Sequence, residues 1–239
     1  MLNIKGVDVS IWQGQNIDYN TIKGQGNNFV IARAGYGNAL SFPKQFDETF
    51  NINYENATKV GLNVGAYWYA YAQNVDSAKR EAESCISAIK GKKFSYPIFY
   101  DIEETAVLNL GVDMCDKIVK AFCDTLASAG FYAGLYSSTW WVQKCFSKDL
   151  RNSIPLWIAE YGVTKCKYPD KFDIWQYGTE NCRSASGGVI DSNICYTDFP
   201  TVIKNLGLNG YDKPNENKTK ILQKIACIKA DLNELERMI

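Results

Sequence analysis

Short apolar runs alternate with helix-patterned segments along this chain, and that alternation limits the folds open to it. Strand-like runs occupy residues 4–9, 28–34, 63–71, 96–102, 131–136, 155–160, 172–177 and 188–191; helix-like segments occupy 44–60, 75–90, 112–129, 138–146 and 197–206. Gly61 and Gly130 follow two of the helix patterns, where a C-terminal stop is expected. Parallel neighbours need a long crossover, usually a helix, so this order predicts parallel βαβ units. Eight strand runs in about 205 residues predict a compact, TIM-barrel-like β/α barrel. The short spacing after residue 150 predicts that some later helices are reduced or missing. A doubly wound sheet would show the same alternation, but no GxGxxG or P-loop supports it.

Composition removes several kinds of chemistry. Lys plus Arg and Asp plus Glu number 26 each, so no net field favours nucleic acid or an anionic membrane. Histidine is absent, which excludes Ser-His and Cys-His catalysis and most zinc sites. None of the eight cysteines forms a CxxC pair, so a metal or thioredoxin-like site is not expected and they read as small buried hydrophobes. No cofactor or metal is expected. The first residues lack the apolar region of a signal peptide, and no stretch approaches the length of a membrane span. The expectation is a chain made in a reducing cytoplasm, without membrane insertion.

Carboxylates are then the main acid–base groups left near neutral pH. Tyr96-Pro97-Ile98-Phe99-Tyr100-Asp101-Ile102-Glu103-Glu104 reads as a buried strand that stops in acids. Asp101 and Glu103 are two apart, so they share a face with a backbone offset of about 6.6 Å. Paired carboxyls at a strand end suit glycoside hydrolysis, in which an acid and a base or nucleophile flank the scissile bond. The first strand ends in Asp8 and the last in Asp191. Each position alone suits a turn or a helix cap. Four carboxylates at three strand ends would converge in a closed barrel, whose catalytic groups come from C-terminal strand ends. Neighbouring carboxylates raise one another's pKa and titrate together, which keeps one of them protonated as a general acid.

The motifs, taken in order, resemble those of one family. Gly6-Val7-Asp8-Val9-Ser10 with Trp12-Gln13 is similar to the opening motif of the glycoside hydrolase family 25 muramidases, the Ch-type lysozymes. Tyr100-Asp101-Ile102-Glu103 resembles their central Asp-x-Glu motif, and Asp191-Ser192-Asn193 their final Asp-x-Asn element. Ile31-Ala32-Arg33-Ala34-Gly35-Tyr36-Gly37 and Gly65-Ala66-Tyr67-Trp68-Tyr69 fall between them in family order. Trp68 departs from the family, which often carries histidine there. The resemblance spans about residues 3–206 and implies a partly irregular β/α barrel. It implies cleavage of the β-1,4 bond from N-acetylmuramic acid to N-acetylglucosamine in bacterial peptidoglycan, with retention favoured. Glu103 would be the general acid. Asp101 would lie near the anomeric centre or the acetamido group, with Asp8 and Asp191 completing an acidic floor. Without a signal peptide the chain resembles a phage endolysin, which reaches the wall after a holin-type pore opens.

Further residues are read as substrate contacts. Tyr67 sits where the family places a substrate-facing tyrosine, Tyr69 shares its face, and Asn193 belongs to the final element. Tyr136, Trp157, Trp175 and Gln176 lie near later strand ends, with barrel packing as the alternative for the aromatics. Arg33 is either a partner of the acidic cluster, the favoured reading, or part of a barrel-floor salt bridge. A chitinase-type barrel also ends a strand in Asp-x-Glu but would not explain the Asp8 and Asp191 motifs. A wall-binding module without catalysis would not need the four acids. Residues 1–206 are expected to form the catalytic barrel and 207–219 a linker. Within residues 220–239, Ile221, Ile225, Ile228, Leu232, Leu235 and Ile239 form an a/d stripe, read as a helix that could join copies of the chain.

Overall fold

The computed structural model describes residues 2–179 and 189–214. The strands are β1 (Ile4–Val9), β2 (Phe29–Tyr36), β3 (Asn63–Tyr69), β4 (Ile98–Asp101), β5 (Ala133–Ser138), β6 (Leu156–Ala159), β7 (Ile174–Gly178) and β8 (Asp191–Cys195). They close into a barrel in sequence order. The helices are α1 (Tyr19–Gly24), α2 (Phe50–Lys59), α3 (Val75–Ile89), α4 (Thr105–Leu108), α5 (Val112–Ser128), α6 (Thr139–Cys145), α7 (Lys148–Ser153) and α8 (Phe199–Leu206). Seven of the eight strand runs correspond to strands, and the eighth, 188–191, meets β8 only at Asp191. The short α1, α4 and α7 lack the length to show a periodic apolar face and so leave no helical signal in the sequence. Among the described residues no helix separates β6 from β7, in line with the reduced second half.

One strand breaks the expected pattern. β1 to β7 pair in parallel, but β8 runs antiparallel to both β7 and β1. A parallel β8 would require the chain to return to the far end of the barrel through a crossover. An antiparallel strand starts where β7 stops. Asp191 is therefore the first residue of β8, not the last residue of its strand as expected from sequence, and it pairs with Asp8.

Alternation along each strand divides the core in two. Val7, Val9, Val30, Ala32, Val64, Ala66, Ile98, Tyr100, Leu135 and Ile158 point outward to the helices. Phe29, Ile31, Phe99, Tyr136, Trp157, Ile174 and Cys195 fill the barrel. Gly6 belongs to the inner layer because a Cβ there would lie 2.5 Å from the Phe29 ring. At the closed end Phe199 and Ile203 of α8 cap the inner cluster, with Tyr96 stacked on Phe29 at 4.4 Å. The six described cysteines, Cys85, Cys115, Cys123, Cys145, Cys166 and Cys195, are free and buried.

The barrel continues past the boundary expected at residue 206. Asn209 is fully buried, accepts from Tyr132 N–H at 2.7 Å and donates to the Tyr96 carbonyl at 2.9 Å. Leu208 and Tyr211 pack on the inner cluster, so the stretch read as linker begins as part of the domain. A run of polar and glycine residues looks like a linker in sequence because a single buried Asn carries no pattern. The a/d stripe of 220–239 lies outside the described residues. No described helix is long and apolar enough to cross a membrane.

Candidate active site

The C-terminal ends of β1 to β7 and the N-terminal end of β8 form one mouth. Asp8 on β1 and Asp101 on β4 face inward there and are buried, at 7% and 4% exposure. Ile102 turns outward into the core, and Glu103, one residue on, stands exposed at the rim. Asp191 stands beside Asp8 through the β1–β8 pairing. The four acids predicted from three strand ends thus share one site, although Asp191 arrives from the opposite chain direction.

A buried hydrogen-bond network holds Asp8. Its Oδ2 accepts from Gln176 Nε2 at 2.8 Å and from Asn193 Nδ2 at 2.7 Å. Each amide is oriented in turn from its oxygen side. Trp157 Nε1, which can only donate, binds Asn193 Oδ1 at 2.8 Å. The Tyr136 and Tyr161 hydroxyls donate to Gln176 Oε1 at 2.6 and 2.5 Å. With their oxygens occupied, both amides present N–H groups to Asp8.

The acids differ in what raises their proton affinity. Burial comes first for all four. Asp8 is pushed up to about 7 by burial and the Asp191 charge, against the lowering effect of its two amide donors. Asp101 is raised well above the carboxylate range by burial and then by Glu103 and Asp8, with Arg33 opposing. Its Oδ1 is buried with no hydrogen-bond partner. Glu103 is raised by partial burial, then by the Asp191 and Glu104 charges.

The substrate contacts predicted from sequence separate into three groups. Tyr67 and Tyr69 lie on the inner face of β3 toward the mouth; Tyr69 donates to Glu104 Oε1 at 2.9 Å. Tyr136, Gln176, Asn193 and Trp157 are buried supports of the acids; Asn193 is fully buried with its amide spent on Asp8 and Trp157, so its reading as a substrate contact is corrected. Trp157, 1% exposed, lies under Tyr136 and Tyr67 and has no surface left for a ligand, so its reading as a contact is corrected. Trp175 is corrected more strongly. It points into the outer core and donates to the Glu160 carbonyl at 2.9 Å, because β7 alternation sends Gln176 inward and its neighbours outward.

Arg33 forms a 2.8 Å salt bridge with Asp47, a residue the sequence reading did not single out. Asp47 also accepts from Ile11 N–H, Thr49 N–H and Thr49 Oγ1. Arg33 thus has a dedicated partner, while its charge still acts on Asp101. Beside it a groove of about 530 Å³ opens between the loops after β1, β2 and β3, lined by Trp12, Tyr36, Lys44, Tyr69 and Tyr71 among others. Tyr161 was also missed. It lies two residues beyond β6, where a single tyrosine carries no spacing signal in the sequence.

Comparison with known proteins supplies the family. The profile of Glycosyl hydrolases family 25 matches residues 7–185. The chain belongs to glycosyl hydrolases family 25. It is 31% identical to the autolytic lysozyme of Clostridium acetobutylicum over 239 residues, covering 97% of this chain and 65% of that protein. The fold is similar to that of the CTP1L endolysin, with a TM-score of 0.74 at 25% identity, covering 84% of this chain and 70% of that one. It is also similar to the modular autolysin LytC from Streptococcus pneumoniae in complex with a synthetic peptidoglycan ligand. There the TM-score is 0.69 at 25% identity, over 81% of this chain and 47% of LytC. The chain therefore spans just under two thirds of the length of its autolytic-lysozyme relative.

Proposed function

We propose that this chain is an N-acetylmuramidase that cleaves the β-1,4 bond between N-acetylmuramic acid and N-acetylglucosamine in bacterial peptidoglycan. One observation carries the reading: four carboxyls of raised proton affinity surround one mouth, and Glu103 alone among them reaches the rim. Family membership and the peptidoglycan ligand bound to LytC support the substrate class.

In this reading Glu103 is the general acid. Partial burial and the Asp191 and Glu104 charges raise its proton affinity, and it passes its proton to the leaving glycosidic oxygen. Asp101 lies below the rim on the side of the anomeric centre or the substrate's acetamido group, and no hydrogen bond within the protein competes for its Oδ1. The Arg33 charge favours the ionised form of Asp101, and that form stabilises the positive charge that grows on the sugar ring. Asp8 and Asp191 add negative potential beneath the ring. Water then completes hydrolysis and returns a proton to Glu103. The aromatic groove beside Arg33 extends the cleft for flanking sugars, with Tyr69 in its wall and Tyr67 deeper on the same face of β3.

Mass spectrometry of the fragments released from purified cell walls tests this. The expected products carry N-acetylmuramic acid at the new reducing end. Reducing-end N-acetylglucosamine, or release of peptides without new reducing ends, would overturn the assignment.

A further inference from the structure

Glu81 lies outside the cleft on α3, is 3% exposed, and has no part in the chemistry above. A carboxylate buried this deeply is costly, and burial pushes its pKa up to about 7. Its contacts explain its place. Oε2 accepts the Tyr100 hydroxyl at 2.6 Å, and Oε1 accepts Tyr71 N–H at 3.1 Å; the Ala72 N–H is a further donor. Tyr100 precedes Asp101 on β4 and is clamped from outside by Phe122, with ring centroids 3.8 Å apart. Ala70, just before Tyr71, donates its N–H to the Asp101 carbonyl at 2.9 Å. One carboxylate therefore ties the segment leaving β3 to the strand that carries Asp101.

The tied segment ends in an exposed aromatic. Tyr71 is 47% exposed, lines the groove beside the mouth, and lies 5.3 Å from Tyr69 and 6.0 Å from Tyr36, ring to ring. Its side chain faces the groove while its backbone is held from behind by Glu81. Such a ring offers a flat apolar face to a sugar, and its usefulness depends on how firmly the backbone beneath it is fixed.

We propose that Glu81 is a positioning residue for substrate, locking the β3–α3 connection against the end of β4 so that Tyr71 forms a fixed platform for a sugar beyond the cleaved bond. This rests on the glycan-cleaving reading above. The groups facing Glu81 are Tyr100 from β4, the Tyr71 and Ala72 amides, and, around Tyr100, Cys85 of α3 and Cys123 of α5. The hydroxyl and thiols are raised by burial and stay neutral near pH 7, so Glu81 is the group in this cluster that changes charge there. Arg33 and Glu104 act on Tyr71 from the groove side.

The test compares wild type, Glu81→Gln, Glu81→Ala, Tyr71→Ala and the Glu81→Gln/Tyr71→Ala double variant on long glycan strands and on a chromogenic glycoside spanning only the cleaved bond. Glu81→Gln should raise KM for long strands about tenfold above pH 7, the worth of one charge-assisted hydrogen bond, with kcat within about twofold. That ratio should shrink below pH 7, because a protonated Glu81 and a Gln offer nearly the same groups. Glu81→Ala should show a larger rise at all pH values, the short substrate should be unaffected, and Glu81→Gln should add little once Tyr71 is Ala. Folded variants with unchanged KM at every pH, equal effects on both substrates, or full additivity would overturn the inference. Should wild type bind the strands without cleaving them, the functional reading fails and the same comparison is read in Kd; if it neither binds nor cleaves, both readings fall.

Discussion

The two ends of the barrel are made by the same strands and have opposite chemistry. At the closed end Phe29, Tyr96, Phe99, Phe199 and Ile203 are at most 1% exposed and form an apolar plug. At the open end the inward positions become Asp8, Asp101, Gln176 and Asn193, with Tyr136 and Trp157 as supports. Each buried apolar side chain at the plug contributes about 1.5–3 kcal/mol of stability. The mouth takes stability away, since its acids are held in surroundings that disfavour their charged forms. The plug stabilises the fold, and the mouth uses part of that stability to keep protons on carboxyls.

The sharpest way to break this division is to change one end and look for an effect at the other. Glu103→Gln should lower turnover by about 10²–10⁴-fold, the range for proton transfer by a positioned acid, with little change in Tm. Near-normal turnover in a folded Glu103→Gln protein would remove Glu103 from its role. The converse is Phe199→Ala, expected to cost about 3–5 kcal/mol in denaturant unfolding while kcat per folded molecule stays the same. A selective loss of kcat with stability intact would show that the two ends are not separable.

The pH dependence sharpens the comparison. Asp8 moves from 3.8 to about 7 on folding, so the folded state holds a proton that the unfolded chain has already released. The resulting stability is fully present below the unfolded pKa and is lost as pH rises through about 7. Tm should therefore fall between about pH 4 and 7, and Asp8→Asn should flatten that slope. An unchanged slope in Asp8→Asn would mean that the mouth does not store protons. The smallest expected effect joins the two ends. Trp157→Phe removes the only indole donor to Asn193 Oδ1, leaves that oxygen free to turn toward Asp8, and should lower turnover about tenfold. A Trp157→Phe enzyme with wild-type turnover and pH profile would reduce Trp157 to packing.

Much of the barrel was legible because a strand's apolar run and a helix's periodic face are local patterns. The runs at 4–9, 63–71 and 172–177 became β1, β3 and β7 with shifts of a few residues at most. Polar residues gave a weaker signal. Gln176 and Asn193 were found as part of the site, but no spacing tells that both amides serve Asp8 or that Trp157 and Tyr136 aim them. Trp175 was misplaced because an aromatic near a strand end looks the same whether it faces the barrel or the helices. Asp47 and Glu81 were missed because each acts through partners distant in sequence: Asp47 through Arg33, and Glu81 through Tyr100 and the Tyr71 amide.

By itself the sequence determined the strand count, the order of elements, the reliance on carboxylates in a chain without histidine, and the places of four acids near strand ends. Those properties reside in residue types and short-range periodicity, which the chain carries wherever it folds. Tertiary structure alone decided the direction of β8, and with it how Asp191 reaches the mouth: a strand's direction depends on which end of the barrel its connection starts from. It also decided the proton affinities. A carboxyl's pKa is set by burial and by the charges beside it, and both exist only once strands distant in sequence have closed into one ring.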